Sequence, residues 1–148
     1  MVQVAVSQSD FDRFNTVIEQ FILGSCANVK LNGKKFDNKF TVVTEYDNIV
    51  VYDTEHLNGP YVKMGCVLYP IESYEAGMLK GFNVIIDYPI GTFDVTASRD
   101  DIVYDRNSRQ VISDAGENFI IRFAEEFRDK VGKACLLYTS DAADEEDS

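Results

Sequence analysis

Residues 81–104 read GFNVIIDYPIGTFDVTASRDDIVY. Phe82–Ile86 is an apolar run of strand length, and its lack of polar alternation suits a buried strand. Pro89 and Gly91 then break the pattern with a Pro-Ile-Gly turn. An extended segment follows, and Ser98 is a residue type that caps helices, so the pattern predicts a short helical turn over about 99–104. That arrangement puts Arg99 in the first turn of a helix, where free backbone N–H groups favour an anion. A guanidinium there adds a bidentate, permanently charged contact suited to phosphate. The plainer reading is a surface arginine paired with Asp100, Asp101 or Asp105, and composition alone favours it.

Working outward, Val2, Val4 and Val6 alternate with Gln3 and Ala5 and suggest a short strand. Ser9 followed by Asp12 suits a helix start. Phe11, Phe14, Ile18, Phe21 and Ile22 fall on one helical face, and Gly24 ends it, which predicts a helix over 10–23. Val29–Leu31 and Phe36 flank Asn32-Gly33, a hairpin signal. Phe40–Tyr46 and Ile49–Tyr52 flank Asp47-Asn48 and predict a second hairpin. Residues 56–60 read as loop, Tyr61–Tyr69 as one strand stopped by Pro70, and 77–81 as a turn region. Val111, Ile112, Ala115, Phe119, Phe123, Phe127 and Val131 repeat at helical spacing and predict a long helix over about 108–131. Strand, helix, several strands, helix is the order of an α+β domain with one mixed sheet and helices packed on one face.

The chain has 148 residues, enough for one domain, with 45% hydrophobic residues and ten Phe and eight Tyr to build a core. No apolar run is long enough to span a bilayer, and the N-terminus lacks the basic and apolar regions of a secretory signal. Cys26, Cys66 and Cys135 show no metal-ligand spacing and are too few for a disulfide scaffold, so reduced thiols in a cytoplasmic compartment are expected. The formal net charge of −11 disfavours a nucleic-acid partner.

The last residues, 135–148, read CLLYTSDAADEEDS and have neither amphipathic period nor cap. They resemble a translated transposase sequencing adapter, whose codons TGT CTC TTA TAC ACA TCT GAC GCT GCC GAC encode the run from Cys135 to Asp144. A disordered acidic tail is the alternative. Either way the domain is expected to span 1–134, as part of a longer protein. The tail carries five acidic and no basic residues, so residues 1–134 have a net charge of −6.

Ser98-Arg99-Asp100 resembles the Ser-Arg-Glu motif in the middle domains of GHKL ATPases, which include the Hsp90 chaperones. Met64-Gly65-Cys66-Val67-Leu68-Tyr69-Pro70, then Pro89-Ile90-Gly91, then Ser98-Arg99 more closely resembles the middle, or transducer, segment of phage rIIA-like proteins within that superfamily. So does the opening, Val4-Ala5-Val6 with Ser9-Asp10 and Phe14, and the likeness runs over about residues 2–131. Ala97 stands where proline is common in the family, Asp100 where it has Glu, and Val103 where the Hsp90 chaperones have a glutamine. These departures put an Hsp90-like catalytic arrangement in doubt but leave Arg99 in place.

The resemblance implies a fold like ribosomal protein S5 domain 2. It implies that Arg99 acts catalytically, reaching the γ-phosphate of ATP held with Mg by an N-terminal ATPase domain outside this chain. Ser98 and Asp100 would form the phosphate and cap region, and this chain alone would be inactive. A homodimer and a peripheral membrane complex are further partners it leaves open, in the host cytoplasm and in lysis control. The competing expectations are a non-catalytic interaction module of a lysis-control or host-exclusion protein, and an unrelated α+β phage protein.

The remaining candidates are weaker. Asp114-Ala115-Gly116-Glu117-Asn118 superficially resembles the family's adenine-binding loop, but it lacks a second glycine and lies in a helical pattern. His56 is the sole histidine, too little for a triad or a zinc site. Asp87 and Asp94 flank the Pro-Ile-Gly turn, where acids are common for backbone reasons. Lys30, Lys34, Lys35 and Lys39 cluster at the first hairpin, which suits a solvated tip better than a phosphate site.

Overall fold

The computed structural model describes residues 5, 7–24, 30–31, 34–35, 41–53 and 58–146. Of the predicted strand over 2–6 only Ala5 is among them, and it is not in a strand; His56 and Lys39 lie outside these residues. A single 3-10 turn, Gln8–Asp10, leads into helix α1, Phe11–Gly24. Strands β1 (Lys30–Leu31) and β2 (Lys34–Lys35) pair antiparallel, with Leu31 opposite Lys34. That register leaves two residues, Asn32-Gly33, for the connection, as a hairpin signal of this type demands.

Five strands make the main sheet: β3 (Thr41–Tyr46), β4 (Ile49–Asp53), β5 (Tyr61–Met64), β6 (Val67–Pro70) and β7 (Val84–Tyr88). Their order is β3-β4-β7-β5-β6. β3 and β4 form a hairpin closed by Asp47-Asn48, with Tyr46 opposite Ile49 and Asp47 at φ 49°. β7 enters between the two hairpins, antiparallel to β4 and parallel to β5. The sheet is therefore mixed and the fold is α+β, with one long helix, α2 (Arg106–Glu146), as its main cover.

The stretch Tyr61–Tyr69 is two strands and not one. It folds back at Gly65-Cys66, with Met64 opposite Val67. Gly65 adopts φ 61°, a left-handed conformation that residues with a Cβ take at a cost. Ile90, from the Pro-Ile-Gly turn, leans over the same glycine: a Cβ at Gly65 would lie 2.9 Å from Ile90 Cδ1. Two sequence-distant segments thus meet where a glycine is required. Cys66, the next residue, is disulfide-bonded. The expectation of a reduced thiol is corrected at Cys66 alone.

Side chains on β7 alternate between two clusters. Val84 and Ile86 join the main core with Ile49, Val62 and Met64, over which α2 lays Ile112, Ala115 and Phe119. Ile85 points the other way, to Tyr52, Tyr61 and Leu68. Full burial of each such apolar side chain stabilises the fold by roughly 1.5–3 kcal/mol. The 3-10 turn Gly77–Leu79 carries Leu79, fully buried, against α2. α1 runs against β6.

The cap of α2 is Asp105. Its carboxylate accepts from the Ser108 backbone N–H at 2.7 Å, three residues on. Burial of the Ser108 residue at this join is almost complete. No helix among the described residues is long and apolar enough to cross a membrane.

Replacing Gly65 with alanine is expected to lower stability by about 1–2 kcal/mol, chiefly through the left-handed backbone. Denaturant unfolding measures this, and a neutral substitution would show that the hairpin does not turn at this residue.

Candidate functional site

The Pro-Ile-Gly segment forms a tight turn. Thr92 N donates to Pro89 O at 3.2 Å and Gly91 sits at φ 91°, as the third position of a type II turn requires. Phe93, buried, then stacks edge-on against Tyr88, with ring centroids 5.2 Å apart. From there the chain makes a narrow loop whose two arms are bridged at Val95 and Ile102. Val103 N donates to Asp94 O at 2.8 Å, and Thr96 N donates to Asp101 O at 3.0 Å. Phe93 and Ile102 bury the base of this loop in the core.

Ser98, Arg99 and Asp100 occupy its exposed tip. The expected helix over 99–104 is absent: these residues form a turn and bends, and α2 begins only at Arg106. Ser98 does not cap a helix. Its hydroxyl donates to the Asp100 carboxylate, which Thr96 Oγ1 also reaches at 2.8 Å. The competing local hydrogen bonds of Ser, Thr and Asp thus close a turn where a helix start was expected. Those bonds, Ser98 first and Thr96 second, hold the Asp100 carboxyl below the usual range.

Arg99 is corrected in the same way. It gains no helix-terminal N–H groups, and its own N–H donates to Thr96 O at 2.9 Å. Its φ is 58°, and Asp47 is the only other non-glycine residue at positive φ among the described residues. Among those residues it makes no ion pair, neither with Asp100, Asp101 nor Asp105. The tip therefore displays a guanidinium to solvent on a constrained backbone, flanked by carboxylates that are engaged elsewhere. Asp101 accepts from Ile102 N at 2.7 Å and Asp105 caps α2.

Other sequence candidates are dispersed. Asp87 faces Lys63 at 3.6 Å and has no bond to Asp94 among the described residues. The run from Asp114 to Asn118 is helical, and Gly116 abuts Leu79, where a Cβ would lie 3.5 Å from Leu79 Cγ. It cannot form an adenine loop. No group of three or more His, Cys, Asp or Glu among the described residues is placed to hold a metal.

A second concavity was not anticipated. A cleft of about 400 Å³ lies between the Asp47-Asn48 turn, Tyr88 and the middle of α2. Val111, Ala115 and Phe119 form one ridge of its helical wall, and Asp114, Asn118 and Arg122 the adjacent one. Both ridges have four-residue spacing, so each lies along a helix face. The polar ridge was the available signal, since it borders the apolar repeat that predicts the helix.

No family model, curated protein or solved structure matches the chain significantly.

Two outcomes test the loop. Arg99→Gly is expected to be more stable than Arg99→Ala by about 1 kcal/mol, because both remove the guanidinium and only glycine relieves a left-handed backbone. Equal unfolding midpoints would rule that conformation out. The second outcome concerns acid. A depressed folded value means that the stability contributed by Asp100 is present above the ordinary carboxylate range and is lost as pH falls through the depressed value. Thr96→Val combined with Ser98→Ala should raise the Asp100 titration midpoint, read by NMR, and an unmoved midpoint would eliminate the hydroxyls as its cause.

Proposed function

We propose that this chain is the middle domain of a phage rIIA-like GHKL ATPase, with a fold like ribosomal protein S5 domain 2, and that Arg99 senses the γ-phosphate of ATP held by an N-terminal domain. The observation that supports this is the display of Arg99: exposed, without an ion-pair partner among the described residues, and in a left-handed conformation. Such a conformation is retained at some cost to stability, and residues of this kind concentrate at functional sites. The resemblance carried by Met64–Pro70, Pro89–Gly91 and Ser98–Asp100 gains support from contact between its first two parts, Ile90 over Gly65.

The one sequence resembling an adenine loop is helical, and on this reading the nucleotide is held by the N-terminal domain. The part of this chain is limited to Arg99, whose guanidinium would neutralise charge on a phosphate presented to the loop tip. Asp100 remains turned towards Ser98 and Thr96 and so does not compete for it.

A non-catalytic interaction module is the second reading, and a specific observation favours it. Val43 on strand β3 and Phe127 on α2 are both more than half exposed and line one groove with Phe123. Adjacent apolar side chains of this size on a surface commonly mark contact with another protein.

The deciding experiment joins the upstream coding region to this chain and changes Arg99→Ala. On the ATPase reading, turnover falls by a factor of about 10³ or more, as with other arginine fingers. Unaltered turnover, or an upstream region without the Glu–Asn helix and glycine-rich loops of GHKL proteins, would leave the interaction module.

A further inference from the structure

The cleft beside α2 shares no residue with the Arg99 loop, and its chemistry is of another kind. Its floor is apolar, with Ile49, Ala115 and Phe119 all buried. Its rim is polar, with Asp47 and Asp114 against the single cation Arg122. Arg122 Nη2 lies 3.5 Å from Asp47 Oδ2, so those two charges answer each other across the mouth. Asp114 is left as the net charge of the cleft. Gln110 Nε2 donates to its Oδ1 at 2.8 Å, and Oδ2 has no hydrogen-bond partner among the described residues.

Two further groups with spare capacity line the same cleft. Tyr88 lines the cleft, and its phenol is held above its ordinary value, by burial first and by the charge of Asp114 second. Asn118 stands one helical turn after Asp114 on the same face, and its amide has no partner among the described residues. The walls are fixed without a ligand. Asn48 Nδ2 donates to Asp87 O at 3.0 Å and Asp87 N to Asn48 O at 2.8 Å, pinning the turn to β7. The cleft volume of about 400 Å³ falls in the range of small-ligand sites.

We propose that this cleft binds a primary amine borne on an apolar or aromatic body, with the ammonium at Asp114 Oδ2 and the body against Tyr88 and Val111, which are both partly exposed in it. An ammonium brings three donors and no acceptor. Asp114 Oδ2, the Asn118 amide oxygen and the Tyr88 phenol oxygen offer it three acceptors. The ring of Tyr88 adds a favourable site for a cation and, with Val111, an apolar surface for the rest of the ligand. An anion would meet a net negative rim, and a neutral apolar ligand would strip water from Asp114 without compensation. The net charge of −6 over residues 1–134 also favours the approach of cations. A free arylalkyl amine and a lysine side chain of a partner protein offer the same chemistry, and the probes below separate them.

The test uses the full chain and follows the Asn118 side-chain amide by NMR, with calorimetry for affinity. The probes are phenethylamine, phenethyl alcohol, a short peptide with one lysine, and that peptide acetylated at the lysine. Phenethylamine should bind saturably and about tenfold or more tightly than the alcohol. Asp114→Asn should remove that preference by weakening amine binding about tenfold or more, with the fold retained as read by the NMR spectrum, whereas Asn118→Asp should tighten amine binding. Tighter binding of the lysine peptide than of phenethylamine, lost on acetylation, supports the site and assigns it to a partner's side chain. The reverse order supports it as a site for a free amine. Equal affinity for amine and alcohol, undiminished amine binding by Asp114→Asn, or no saturable shift at Asn118 would overturn the proposal.

Discussion

β7 is hydrogen-bonded on both edges and covered on both faces, and the two hairpins become one sheet only through it. Its edges select opposite polarities, antiparallel to β4 and parallel to β5, and the parallel pair is connected through β6 and residues 71–83. Because side chains alternate along a strand, Val84 and Ile86 serve the core under α2 while Ile85 serves the smaller cluster with Tyr52 and Tyr61. A polar residue at any of these three positions would be buried without water, at a cost no local turn could offset. The dependence extends to both candidate sites. β7 continues into the Pro-Ile-Gly turn and the Arg99 loop, and its Tyr88 and Asp87 form and fix one side of the cleft.

Elements whose signals are local were legible in the sequence. Asp47-Asn48 between two β-branched and aromatic runs specified a hairpin, and the structure turns at those residues. The apolar repeat from Val111 specified a helix over about 108–131, whereas α2 starts at Arg106, where Asp105 supplies the cap, and continues to Glu146 through residues expected to lie in a separate tail. Failures came where two local preferences competed. Tyr61–Tyr69 is apolar enough for one strand, and only Gly65 signalled that it must turn. Ser98 is a fitting helix cap, but Thr96 and Asp100 lie within reach and its hydroxyl closes a loop instead. Of the cleft only the polar ridge on α2 was legible, since Asp47 and Arg122 are far apart in sequence and meet only once α2 lies on the sheet.

The two sites suit opposite charges. The Arg99 tip offers a cation on a narrow, anchored loop, while the cleft offers a net negative rim around an apolar floor. In each, neighbouring charges of the other sign are already engaged: Asp100 by Ser98 and Thr96, Arg122 by Asp47. That internal matching is what gives each site one unanswered charge, and it follows from turn and helix geometry more than from composition, which is acidic throughout.

Loss of the expected helix at Arg99 also changes the physics of the proposed phosphate contact. Helix-terminal N–H groups would have bound an anion without help from elsewhere. An exposed guanidinium in water contributes only about 0–1 kcal/mol to an ion pair. A phosphate is held appreciably by such a group only when a second surface excludes water and raises the strength of the charge interaction. On the proposed reading, Arg99 therefore contributes little until the nucleotide-bearing domain closes on the loop. Its engagement would then report domain closure as much as phosphate, which is the property a transducer between two domains requires.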